Sequence, residues 1–251
     1  MLVAIWKRGL TITLLAAATA VSAQSDGWGQ PSRRYDGRFT FVRLRWGSGS
    51  VGGGGGRRGM SSAWNHDYPR AEQNLMAIIK EVSLIDTNVA GSLILPLDDP
   101  QLCKYPIAYM WEPGYWELTD GEAVAFRRYL LKGGFAIFDD FEQDQWNNFE
   151  YQMKRVLPEA RFVRLDKTHP IFDSFFRMKT IEFPHPMFGY PPRYFGIVED
   201  NDPTKRLMVI ANHDNDVAEY WEWSGQGLYP VDPSNEAYKL GVNYYIYGFM
   251  H

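Results

Sequence analysis

Two successive carboxylates, Asp139 and Asp140, close the apolar run 134–138. Beyond a strand end neighbouring side chains diverge, so one acid can meet a ligand while the other caps the next helix. Catalytic carboxylates and metal ligands need that placement. A capping residue beside a solvated acid is the structural alternative. The run 207–211 leads into Asn212, His213, Asp214, Asn215 and Asp216, and His169 lies near another predicted strand end. With Asp139, Asp140 or Asp214, these histidines could form a mixed imidazole and carboxylate set for a divalent metal. Their spacing matches no zinc signature such as HExxH, and a hydrogen-bonded structural histidine is the competing reading. Asp139, Asp140 and His213 are therefore the candidate catalytic residues. Arg45, Trp46, Glu112, Gly114, His169, Asp214 and Trp221 are the candidate ligand contacts. No cofactor is implied, a divalent metal being the one alternative.

Other chemistry finds less support. Cys103 lies in a loop before a strand, without the strand-to-helix turn or paired base of a nucleophile, and reads as a small buried hydrophobe. There is no Gly-x-Ser-x-Gly elbow. Five consecutive glycines, 52–56, are followed by no Lys-Ser or Lys-Thr and read as a surface loop. Trp221 and Trp223 would share a face if extended, as a stacking platform or as core.

The elements that must position these residues alternate. Strand-like runs at 39–45, 92–97, 107–111, 134–138 and 207–211 each end in a polar, charged or turn-forming cluster, with helical patterns between several of them. Alternation of this kind implies a mostly parallel sheet flanked by helices, whose carboxyl strand ends share one edge. Arg45, Glu112, Asp139, Asp140 and His213 are expected to meet there. A helix is expected over 69–86, with Asp67 near its cap. Thr119 and Glu122 form a capping box that opens a helix stopped at Gly133 and Gly134. Asp144 is placed to cap a helix over 145–157, and a short helix follows His169. Runs 194–198 and 207–211 flank a turn-rich segment and form a hairpin. The last helix begins at Ser234 or Asn235.

Lys7, Arg8, an apolar stretch over 10–21 and the small residues Val21, Ser22 and Ala23 make a cleavable secretory signal over 1–23, with an uncleaved anchor as the competing reading. A flexible lead-in over 24–38 then precedes one α/β domain over 39–251. A single cysteine rules out an internal disulfide, which suits a periplasmic or secreted protein not stapled by disulfides. A net charge of -4 argues against a nucleic-acid binder. Aromatics make up 16% of the chain and gather at 183–195 and 220–223. They serve either as ballast for long loops or as a surface for sugar or peptide.

The segments FVRLRW, HDYPRAEQN, TDGEAVAFRRYLLKGGFAIFDDF, THPIFDSFF and NEAYKLGVNYYIYG resemble the bacterial family called Domain of Unknown Function 4159. The resemblance implies kinship with class I glutamine amidotransferase-like and trehalose-utilisation-like domains, and a flavodoxin-like core. In the amidotransferase pattern the nucleophilic cysteine follows the strand that here reads GGFAIF. This chain has Asp139 and Asp140 there, which speaks against glutaminase activity. The expectation is an exported domain that binds a small polar or carbohydrate ligand or an envelope partner. The alternatives are a hydrolase using strand-end Asp and His residues, metal-assisted or not, and a structural envelope protein.

Overall fold

A computed structural model of the chain describes residues 36–47 and 60–251. The expected signal over 1–23, most of the expected lead-in and the five glycines 52–56 lie outside them. Seven strands form one sheet in the order β2-β1-β3-β4-β7-β6-β5: β1 (Val42–Arg45), β2 (Leu93–Pro96), β3 (Ile107–Trp111), β4 (Phe135–Phe141), β5 (Val163–Leu165), β6 (Arg193–Val198) and β7 (Leu207–His213). β2, β1, β3, β4 and β7 run parallel, while β6 pairs antiparallel with β7 and with β5. The mostly parallel sheet and the β6–β7 hairpin follow the reading of the sequence.

Side-chain alternation sorts the core into two layers. Ile107, Tyr109, Trp111 and Ile137 face α1 (Arg70–Val82), α4 (Val217–Glu222) and α5 (Val231–Met250). Ala108, Met110, Ala136 and Phe138 face α2 (Asp120–Leu131) and α3 (Gln145–Val156). Continuous apolar strands are what burial on both faces requires. Among the described residues, no helix is long and apolar enough to cross a membrane.

The capping box forms. Thr119 Oγ1 accepts from the Glu122 amide at 3.2 Å, and the Glu122 carboxylate accepts from the Thr119 amide at 2.8 Å. Thr119→Ala is expected to cost about 1 kcal/mol in urea unfolding; an unchanged midpoint would mean that the box contributes nothing. Two other caps differ from expectation. Asp144 occupies the N-cap position of α3, but its side chain makes no cap hydrogen bond. At α1 it is the Asp67 carbonyl that accepts from Ala71, and the Asp67 carboxylate turns elsewhere. Cys103 is exposed rather than buried, because its short 3-10 turn spends the inward position on Leu102.

Candidate functional site

The strand order reverses between β1 and β3, the position at which open α/β sheets leave a crevice beyond their carboxyl ends. β4 carries a bulge at this rim: Phe138 pairs with Ala211, yet Phe141 pairs with His213, so β4 has one residue too many. Asp140 takes up the surplus with φ 62°. A bulge of this kind re-aims a side chain that regular alternation would have sent to the α2–α3 face. Asp140 Oδ2 instead lies 2.6 Å from Nδ1 of His66, in the segment that follows β1.

Arg43 of β1, fully buried, holds that segment. Its Nη1 donates to the carbonyls of Trp64 (2.9 Å) and His66 (2.8 Å). Nε and Nη2 grip Glu72 of α1 at 3.0 and 2.8 Å, and the guanidinium lies 3.4 Å from the Trp111 ring centre. Asp67 is thereby brought beneath His66, where Oδ2 accepts from Trp111 Nε1 at 2.9 Å. Asp67 Oδ1 is buried without a hydrogen-bond partner, 3.5 Å from His66 Nδ1.

The other wall comes from β7 and α4. Asp139 is fully buried and accepts four hydrogen bonds: from Tyr109 Oη (2.6 Å), Asn212 Nδ2 (2.9 Å) and the amides of Val217 (2.9 Å) and Ala218 (3.0 Å). It is the anchor of α4. Asp216 caps the same helix through the Glu219 amide at 3.0 Å. The long loop before β6 supplies His185, whose Nδ1 accepts from the Met187 and Phe188 amides at 3.2 and 3.4 Å. Among the described residues the result is four overlapping triplets of ligating atoms, each within 4.8 Å: His66–Asp67–Asp216, His66–Glu112–Asp140, Asp140–His185–Asp216 and Asp67–Glu219–Glu222. Asp67, Glu112 and Asp140 all adopt left-handed backbone conformations. Strain of this kind concentrates at working sites.

The electrostatics follow from crowding. Burial, with Asp140 adding to it, pushes Glu112 up to about 9. Burial also drives Asp67 and Asp216 well above the usual carboxylate range, again helped by Asp140. His66 rises to about 10, chiefly through its hydrogen bond to Asp140. A carboxyl raised above its unfolded value favours the fold at low pH and loses that contribution as pH climbs through the folded value. A raised histidine does the same on its own scale, so the two effects add. Protein kept free of metal ions is therefore expected to lose thermal stability between about pH 6 and 10. Melting temperatures that hold steady or rise over that range would contradict this.

The predicted site residues divide. Asp140 and Glu112 join the cluster, and Asp139 lies directly beneath it as a helix anchor. Asp214, at φ 57°, accepts from the Gln143 amide at 2.8 Å and pairs with Arg193. His213 is not brought into the cluster. It points to the opposite face of the sheet, buried among Phe141, Trp146 and Phe195, with Nε2 3.1 Å from the Gln143 carbonyl. Arg45 is half-buried at the end of β1. Trp46 is core, and its Nε1 donates to the Trp111 carbonyl at 2.8 Å. Gly114 lets α3 approach: a Cβ there would lie 2.5 Å from that of Gln145. Trp221 is fully buried in helical α4, not on an extended platform. His169 lies at the opposite edge, packed on Tyr247, whose hydroxyl accepts from the first amide of β7.

His66, Asp67, His185, Asp216, Glu219 and Glu222 escaped the sequence reading as site residues. The adjacent acid and imidazole of the HDYP segment, placed between β1 and α1, were the available signal.

The chain belongs to the family described as Domain of unknown function (DUF4159), whose model matches residues 40–249. No curated protein matches the sequence.

Proposed function

We propose that the chain is an exported hydrolase-like domain acting on a small polar or carbohydrate ligand at the carboxyl rim of its sheet. The observation that carries this reading is the 2.6 Å pair of Asp140 and half-exposed His66 at the strand-order reversal. Asp140 occupies Nδ1 and fixes the ring, leaving Nε2 as the nitrogen a ligand can meet. An imidazole raised to about 10 carries its proton at neutral pH. His66 then passes that proton to the leaving oxygen as its bond to the substrate breaks, and the attacking water gives up its own proton to solvent or to a rim carboxyl in its ionised form.

The strand order 2-1-3-4 on one side supports a flavodoxin-like core of the amidotransferase-like kind. Glutaminase chemistry is not part of the proposal. Cys103 lines a cleft with Gly133 and Gly134, at the start of β4 rather than its end. Export follows from the succession of basic, apolar and small residues over 7–23.

Release of p-nitrophenol from a panel of glycosides, esters and phosphate monoesters tests the reading. Turnover is expected on at least one class, reduced about 100-fold or more by His66→Gln. No turnover on any class would return the protein to a non-catalytic ligand-binding role. Turnover unaffected by His66→Gln would place the chemistry elsewhere.

A further inference from the structure

We propose that the rim cluster is a binding site for one hydrated divalent cation, taken by the carboxylates of Asp67, Asp140 and Asp216 with Glu112 at the mouth. The inference rests on the rim being the working site, and stands whether or not the reaction there is hydrolysis.

Charge is the first consideration. Six carboxyls, those of Asp67, Glu112, Asp140, Asp216, Glu219 and Glu222, share linked triplets whose other members are His66 and His185. Asp67, Asp140, Asp216 and Glu219 are at most 6% exposed, so solvent does little to separate their charges. Burial disfavours the charged form of His185, leaving His66 as the cation within the triplets. Arg70, over the Trp223 ring, is felt at the outer end by Glu222. Buried acids in that imbalance either keep protons or await a cation.

Two orphaned atoms favour the cation. Asp67 Oδ1 is a buried acceptor without a donor, and His185 Nε2 is a buried nitrogen without a partner. Since Nδ1 of His185 accepts two backbone amides, the imidazole proton sits on Nε2. His185 is thus a donor without an acceptor, within 4.8 Å of ligating atoms of Asp140 and Asp216. An added proton would satisfy only the acceptor. A hydrated ion satisfies both: the metal bonds Asp67 Oδ1, and a metal-bound water or a ligating carboxylate accepts from His185. This tautomer also keeps His185 itself from ligating. Oxygen donors then dominate, which suits a hard ion such as Mn2+, Mg2+ or Ca2+ better than zinc.

Calorimetric titration of MnCl2 into the chelator-treated full chain tests the site. One ion is expected to bind, with affinity at least tenfold weaker in Asp67→Asn and in Asp216→Asn. Asn keeps the Asp67 acceptor for Trp111, tolerates its left-handed backbone and still caps α4 at 216. Both variants are expected to keep their melting temperature to higher pH than wild type in metal-free buffer, because a buried acid that would have to ionise there is gone, and to lose the Mn2+-induced rise. Glu112→Gln, at the half-buried mouth, provides a further variant with the same expected loss of affinity. No Mn2+ uptake by wild type at millimolar concentration would overturn the proposal, as would variants that bind like wild type. Variants that melt lower without metal would mark the acids as structural. Failure of the hydrolysis panel alone would leave these outcomes unchanged.

Discussion

Asp139→Ala is expected to lower the stability by about 3–5 kcal/mol, the range for breaking a buried charged network by removing one member. Four donors would lose their acceptor at once: the Tyr109 hydroxyl, the Asn212 amide and the first two backbone amides of α4. Each buried donor left alone costs about 1–3 kcal/mol, less whatever relaxation recovers. A six-residue helix has no stability of its own, so α4 is expected to fray, carrying Glu219 and Glu222 with it. Asp140→Asn, one residue on, is expected to cost less than about 1 kcal/mol, because asparagine also accepts a left-handed backbone and the lost pair with His66 is offset by relief of the charge crowding on Asp67, Glu112 and Asp216. Chemical unfolding separates the two. Equal costs would refute the division of this carboxylate pair into an anchor and a site group.

Arg43→Met is expected to be of comparable size, about 3–5 kcal/mol, because it leaves the Glu72 carboxylate buried without its guanidinium, with the Ser92 hydroxyl still donating to it. The carbonyls of Trp64 and His66 lose their donor in the same step. The consequence reaches the site, since those carbonyls belong to the segment that holds His66 and Asp67 under the rim. Activity and Mn2+ affinity are expected to fall even in the fraction that remains folded. Arg43→Met combined with Glu72→Met is expected to recover much of the stability, as buried pairs replaced by apolar volume often do. It is not expected to recover the site. A double variant with full activity would show that Arg43 has no role in holding the segment.

Much of the frame was legible in the chain. β3, α2 and β4 carry their own punctuation in Thr119, Glu122, Gly133 and Gly134; the structure keeps β3, α2 and the start of β4 within a residue or two, but carries β4 three residues past the expected end at Phe138, through Asp139 and Asp140 to Phe141. Asp140 and Glu112 were reachable by strand-end reasoning because a parallel sheet gathers its carboxyl ends. His213 fails that reasoning because alternation along β7 decides its face, and Asn212 takes the side that meets Asp139. His169 fails because its segment packs on the C-terminal turn of α5, at the other edge. His66 and Asp67 follow no recognisable strand end; a buried arginine 21 and 23 residues away from the carbonyls it binds positions them. His185 arrives on a loop without periodicity, and α4 is too short for a helical pattern to announce it. Contacts between distant segments leave little local trace.

The five histidines make the central claim directly measurable. His66 and His185 lie in the cluster, whereas His169 and His251 both pack on Tyr247 at the opposite edge. Substoichiometric Mn2+ should broaden the ring signals of nearby histidines in a 1H–15N spectrum and spare distant ones. The account predicts early loss of the His66 and His185 signals while those of His169 and His251 persist. Broadening of His169 or His251 first, or of none, would contradict it.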